Sequence, residues 1–202
     1  MLTLFATAFG LGLAFSAPPG AVTAEVWRRG LSGGFRPAFL FAAGSLVGDA
    51  VWAALALTGA AVIVESDIGR TSLARAGAIV LSVLAVKALV AAQRPQPPRA
   101  RQTLGSRGAL AAGALISLGN PWAAAFWIGV GAGVTSAVGE GRSGLAVFFG
   151  GFMLAALLWS LFVAAAVAWI HRRTGASFAR FANLAAAVVL SYFGIRLLWS
   201  SV

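Results

Sequence analysis

The sequence predicts an all-α integral membrane protein: six transmembrane helices forming two inverted three-helix repeats, with helices 1 and 4 broken near the midplane. Three observations predict it. Of 202 residues, 60% are hydrophobic and 10% charged, against about 45–50% and about 25% in an average soluble domain. Sixty per cent of the chain is about 121 residues, and one span needs about 20, so the composition accommodates about six spans. The apolar residues also fall in long continuous runs, not in the short alternating segments of a barrel.

The same composition excludes several functions. Fifteen Lys and Arg against five Asp and Glu give a net charge of +10. A mean hydropathy of +0.90 sets that charge on a membrane protein, so no nucleic-acid partner is expected. The arginines sit beside apolar helices, without the aromatic interleaving that single-strand binding uses. With no cysteine there is no disulfide framework, thiolate metal site or thiol nucleophile. One His and two Met argue against soft-metal transport. No metal and no cofactor are expected.

The apolar stretches run roughly over 2–26, 37–64, 72–92, 108–138, 143–170 and 178–199. The first is read as a retained helix. It lacks a basic leading region, and Pro18-Pro19 follows the small-residue sequence Ala14-Phe15-Ser16 where a signal peptide would be cut. The 1–2 connection carries Arg28, Arg29 and Arg36, the 3–4 connection Arg94, Arg99, Arg101 and Arg107, and the 5–6 connection Arg172, Arg173 and Arg180. The opposite side has Arg70, Arg75 and Arg142, accompanied by Glu65, Asp67 and Glu140. Ten basic residues against three put the odd connections in the cytoplasm and both termini outside. Arg94-Pro95-Gln96-Pro97-Pro98-Arg99-Ala100-Arg101 has the composition of an extended linker. The domains are therefore a first repeat over 1–92, a basic Pro-rich cytoplasmic loop over 93–107, and a second repeat over 108–202.

The halves resemble each other. Gly44 falls on Gly150 at an offset of 106, Ser72-Leu73-Ala74-Arg75 on Ser177-Phe178-Ala179-Arg180 at 105, and Ala85-Val86-Lys87-Ala88-Leu89 on Gly194-Ile195-Arg196-Leu197-Leu198 at 109. Three spans per half is an odd number, so the halves must be inverted, the plan of many secondary transporters. That plan predicts matched helix breaks. Ala17-Pro18-Pro19-Gly20 interrupts the first span and Leu118-Gly119-Asn120-Pro121 the fourth. Proline lacks its N–H and clashes with the carbonyl four residues back. Such unpaired backbone is tolerated at membrane depth only inside protein or beside water. Pro19 and Pro121 suit the first position of a resumed half-helix, whose positive N-terminal end attracts an anionic group.

Two acids lie within or beside apolar helix. Glu25, close to Arg28 and Arg29 at the end of the first span, is expected to form a surface ion pair. Asp49 lies about 12 residues into the second span, near the midplane. A carboxylate there costs about 2.5–3.5 kcal/mol on insertion scales and needs a partner or a wet cavity. Proton relay, recognition of a substrate ammonium and structural hydrogen bonding all fit it. Gly44 and Gly48 form a small-residue face for close approach of a neighbouring helix. Lys87 and Arg196 are expected to snorkel to the interface, and His171 to stand exposed beside Arg172 and Arg173. Trp27, Trp169 and Trp199 are placed as interfacial anchors; Trp52, Trp122, Trp127 and Trp159 lie deeper, lining a cavity or packing.

Together these residues resemble the LysE-type (lysine exporter/RhtB) amino-acid exporter family. The matching pieces are Pro18-Pro19-Gly20, the Gly-Ser-Leu-Val-Gly-Asp stretch 44–49, Gly119-Asn120-Pro121-Trp122 with Phe126-Trp127, and Phe193-Gly194-Ile195-Arg196-Leu197-Leu198. The resemblance covers nearly the whole chain and departs at Ala21, where the family often has a second proline. It implies a secondary exporter of amino acids or close derivatives, coupled to protons, in a bacterial inner membrane. On this reading Pro19, Gly20, Asn120 and Pro121 hold the substrate carboxylate, while Asp49 faces the substrate amine or carries the coupling proton. The chain is a transporter and not an enzyme, its partners are the substrate, protons and the bilayer, and its small-residue faces allow a homodimer. The competing readings are a non-transporting assembly or structural subunit, a channel-like pore, and a divalent-cation exporter, which would need several midplane carboxylates.

Overall fold

A computed structural model describes residues 1–18, 20–57, 106–120, 123–124, 126–127, 142–173 and 176–199, with scattered positions between 75 and 93. Its main helices are α1 (Leu2–Ser16), α2 (Ala21–Gly33), α3 (Phe35–Leu57), α4 (Ser106–Leu118), α5 (Arg142–Arg173) and α6 (Ala176–Trp199), with no strand among the described residues. By length and composition α3 and α5 each suffice to cross a membrane, and α1 with α2 suffice together as a bent pair, which makes a third span if the two are one broken helix. The expected third span, the second half of the fourth and the Pro-rich loop fall mostly outside the described residues.

α1 carries no charged residue and stops where prolines make it stop. Ala17 still donates its N–H to Leu13 at 2.9 Å, and Pro18 then disfavours further helix. The chain resumes at Ala21 after Gly20, whose extended backbone (φ −152°, ψ −168°) places its carbonyl to accept the Ala24 N–H at 2.9 Å. The first helical position is thus Ala21, and not Pro19 as the spacing predicts. α1 and α2 meet at 71°. α2 runs on to Gly33 and turns at Gly34, whose φ of +80° is a conformation that side-chain-bearing residues avoid. The first span therefore extends seven residues beyond the predicted end at 26, which takes Arg28 and Arg29 out of the connection and into the helix.

Two helix pairs organise the interior. α3 and α4 run parallel at very close range: a Cβ on Gly44 would overlap the Leu110 carbonyl, one on Gly113 the Phe41 carbonyl, and one on Gly48 would lie 2.6 Å from the Ser117 Cβ. The predicted small-residue face on α3 thus exists, and its neighbour is α4. α1 and α5 also run parallel. A Cβ on Gly12 would come within 2.7 Å of the Phe152 carbonyl oxygen, and one on Gly151 within 2.8 Å of that of Phe5. In each pair, glycines from both helices press against the partner's backbone.

α2 lies between α3 and α5, its Gly30 against Val167 and Ala38. The Leu31 carbonyl meets His171 Nδ1 at 2.6 Å, tying the C-terminal ends of α2 and α5. His171 is accordingly half-buried, not exposed as expected, because α2 reaches far enough to cover it. Exposed Arg36, Arg107, Arg172, Arg173 and Arg180 belong to this end of the bundle, whereas Arg142 opens α5 at the other end, beside the start of α1. Trp27, Trp169 and Trp199 are exposed, and the Arg173 guanidinium sits 4.0 Å over the Trp169 ring. The exposed apolar residues Leu154, Leu158 and Phe162 on α5, and Phe181, Leu184, Val188, Tyr192 and Ile195 on α6, recur at helical spacing. Apolar stripes of this kind face lipid in a membrane helix bundle.

Candidate functional site

The candidate site is built around the helix breaks. At the second break, α4 ends at Leu118, Gly119 donates back to Leu115 at 2.9 Å, and the Asn120 carbonyl accepts the Ala124 N–H at 3.2 Å. Asn120 thus holds the position that Gly20 holds at the first break, four residues before an alanine that begins the resumed ladder. At the first break the first-turn N–H groups of α2 have no intrahelical acceptor, and Gly20, as the N-cap, has no side chain to cap them. Ala21, where the LysE-type pattern often has proline, adds one N–H to that set. Pro19 and Pro121 themselves lie outside the described residues.

Asp49 projects from α3 directly onto the second break. It is 7% exposed and accepts a hydrogen bond from the Ser117 hydroxyl at 2.7 Å. The Ser117 carbonyl in turn accepts the Trp52 indole N–H at 3.3 Å and the Asn120 N–H at 3.1 Å. One serine therefore links Asp49 and Trp52 on α3 to Asn120 at the break. Sequence reasoning missed Ser117. Its signal is the spacing Gly113-x-x-x-Ser117, a small-residue face that mates with Gly44 and Gly48.

The two breaks meet through aromatic rings. Phe15, three residues before Pro18, packs on Phe126 just beyond the second break, at a centroid distance of 4.4 Å. Phe152 of α5 touches both at 5.7 and 5.6 Å, and Trp127 lies 4.5 Å from Phe152. Trp52 and Trp127 are buried in this cluster, whereas Trp159 is half-buried on α5 beside Phe162 and Trp122 lies outside the described residues.

A second polar feature corrects the sequence reading of Glu25. Its carboxylate is fully buried, and Arg28 and Arg29 are 5% and 1% exposed. Arg28 binds it in bidentate fashion, Nε to Oε2 at 2.7 Å and Nη2 to Oε1 at 2.6 Å, and Arg29 Nε donates to Oε1 at 2.8 Å. The ion pair is as expected, but it is not at the surface. α2 continues past these residues and is enclosed by α3, α5 and α6, so they pair inside the protein. The Arg29 guanidinium also lies 4.8 Å from the centre of the Phe41 ring. Lys87 lies outside the described residues, as does the Arg196 side chain. No cluster of metal-ligating side chains occurs among the described residues.

Helices with exposed apolar stripes, a bent apolar helix pair and a buried carboxylate at a second break are features of a membrane helix bundle. Residues 13–201 match the family described as LysE type translocator, and the chain belongs to that family. It is 45% identical over 179 residues to the "Chemotactic transduction protein ChpE" of Pseudomonas aeruginosa, covering 86% of this chain and 87% of that one. It is 28% identical over 166 residues to the "Putative amino acid efflux protein YcgF" of Bacillus subtilis, covering 81% and 79% respectively. No solved structure matches the chain significantly. The chain is therefore a translocator and not an enzyme.

Proposed function

We propose that this translocator is a secondary active exporter of amino acids or close derivatives, driven by protons, working by alternating access in the bacterial inner membrane. The observation that carries the proposal is the placement of buried Asp49, through Ser117, on the break at Asn120, with the first break joined to the second by Phe15 and Phe126. In the proposed mechanism the resumed half-helices at Pro19-Gly20 and Asn120-Pro121 hold the substrate carboxylate with their unsatisfied N–H groups. Asp49 carries the coupling proton or receives the substrate ammonium. Coupling requires that substrate bind the two open states with different affinity, and a proton on Asp49 supplies that difference.

The inverted-repeat plan is part of this reading. The α3–α4 pair and the α1–α5 pair would exchange under a two-fold axis in the membrane plane, and both are parallel pairs with reciprocal glycine-to-carbonyl contacts. The arginine-rich end belongs in the cytoplasm and both termini outside. A homodimer would have to use a face other than Gly44 and Gly48, which α4 covers. The name of the Bacillus subtilis relative supports amino-acid efflux. The name of the Pseudomonas aeruginosa relative favours a second reading, a membrane subunit of a signalling assembly that moves no solute. Growth on toxic loads of amino-acid-containing dipeptides separates the two. The exporter relieves the toxicity and raises external amino acid, whereas a deletion strain that shows neither difference sinks the proposal and leaves the subunit.

A further inference from the structure

The Glu25–Arg28–Arg29 cluster is not needed to make α2 a helix, and its counterpart in the second half is apolar. With Gly20 and Asn120 in register, Glu25, Arg28 and Arg29 correspond to Ala125, Ile128 and Gly129. Three buried charges in one half-helix are costly, and a hydrophobic replacement is often neutral or stabilising. The cluster therefore calls for a use.

Its electrostatics are incomplete in a particular way. One carboxylate faces two guanidinium groups, so the buried set carries a net charge of +1. Glu25 accepts three hydrogen bonds, and Arg28 commits both Nε and Nη2 to it. Arg29 commits its Nε, and its buried Nη2 has no hydrogen-bond partner among the described residues. Phe41 holds the face of that guanidinium while Glu25 holds one edge, so the remaining donor is preorganised. A buried cation with an unsatisfied donor and one surplus positive charge is complementary to a monoanion. A dianion such as a phosphate monoester would overshoot neutrality, and a guanidinium edge suits a planar carboxylate better than a spherical halide.

We infer that Arg29 binds the carboxylate of the transported solute, at a station distinct from the helix breaks. Arg29 is nine residues beyond Gly20, about 14 Å along the helix axis towards the arginine-rich end. A solute leaving the cytoplasm meets this station before the break. Bound there, its carboxylate pairs with the surplus guanidinium without displacing Glu25, and its ammonium points away from the cluster. The exporter reading supplies only the identity of the ligand, a free amino acid; the carboxylate site stands on the cluster itself.

The test uses the full chain, purified in detergent and reconstituted in proteoliposomes, with the proteinogenic L-amino acids, their amides and sodium chloride as probes. Thermal melting followed by tryptophan fluorescence should show stabilisation by at least one amino acid and not by its amide or by chloride. Arg29→Gln and Arg29→Lys should weaken that response about tenfold or more, a loss of one charge-assisted contact, while leaving any weak response to the amide unchanged. Arg29→Lys keeps the charge but not the fork, so it carries the test if the glutamine variant does not fold. Folded variants that bind the acid as tightly as the wild type overturn the inference, as does a wild type that responds equally to acid, amide and chloride. A wild type that binds the acid through Arg29 but does not carry it across proteoliposomes keeps this site and overturns the exporter reading instead.

Discussion

Glu25 and Asp49 are both buried acids, yet they answer to different partners, and substitutions at them should separate stability from transport. Glu25 balances two guanidinium groups, so Glu25→Gln leaves two buried positive charges beside a neutral amide. Breaking a buried ion pair in this way costs about 3–5 kcal/mol. The variant should show a sharply lower melting temperature and membrane yield, and a melting curve like the wild type would contradict the paired-charge account. Asp49 has a hydroxyl partner, and Ser117→Ala removes a single hydrogen bond to it, worth about 1.5–3 kcal/mol when one partner is charged. Ser117→Ala should therefore retain the fold and lower transport partially, which an uptake assay in inverted vesicles would register. The burial of Asp49 was legible from its 12 residues of apolar approach. The burial of Glu25 was not, because it depends on where α2 ends, and that is decided by Gly34 and by packing on Val167 and Phe41. Ser117 was hidden for another reason: a serine in an apolar helix says nothing of its partner until the neighbouring helix is in place.

Among the elements, the breaks were readable because proline and glycine act on the backbone locally, whatever surrounds them. At the first break the first helical residue is Ala21 in place of Pro19, since two consecutive prolines leave the exact resumption to the flanking geometry. The α3–α4 contact was half readable: Gly44 and Gly48 announced a close approach, but not to which helix. Its tightness yields a graded prediction. Gly44→Val and Gly113→Val push side chains into backbone carbonyls that cannot yield, and overpacking of this kind costs about 1–3 kcal/mol or more. Gly150→Ala faces open space, so it should be neutral or stabilising by up to about 1 kcal/mol, the helix-propensity difference. Detergent melting curves of the three variants check the order. A Gly44→Val protein as stable as Gly150→Ala would show that the two helices are not in backbone contact.

For the whole molecule, composition was enough to establish a helical membrane protein, and the arginine distribution can be followed only at its described residues, since Arg70, Arg94, Arg99 and Arg101 lie outside them. Arg28 and Arg29 leave the tally of connecting residues for the interior, while Arg36, Arg107, Arg172, Arg173 and Arg180 share one end. The chain has no cysteine, so single cysteines can report topology without background. A cysteine at Leu2 should react with a membrane-impermeant maleimide from outside the cell, and one at Arg173 only after the membrane is opened. The reverse pattern would invert the proposed orientation and turn the exporter's loading side outward. The central claim is that Asp49 couples the proton gradient to amino-acid movement. It is tested most directly in proteoliposomes of the wild type and of Asp49→Asn, by comparing amino-acid flux driven by an imposed pH gradient with exchange at equal pH. The account predicts that Asp49→Asn loses the gradient-driven flux and keeps exchange. Gradient-driven flux at the wild-type rate in Asp49→Asn would contradict it.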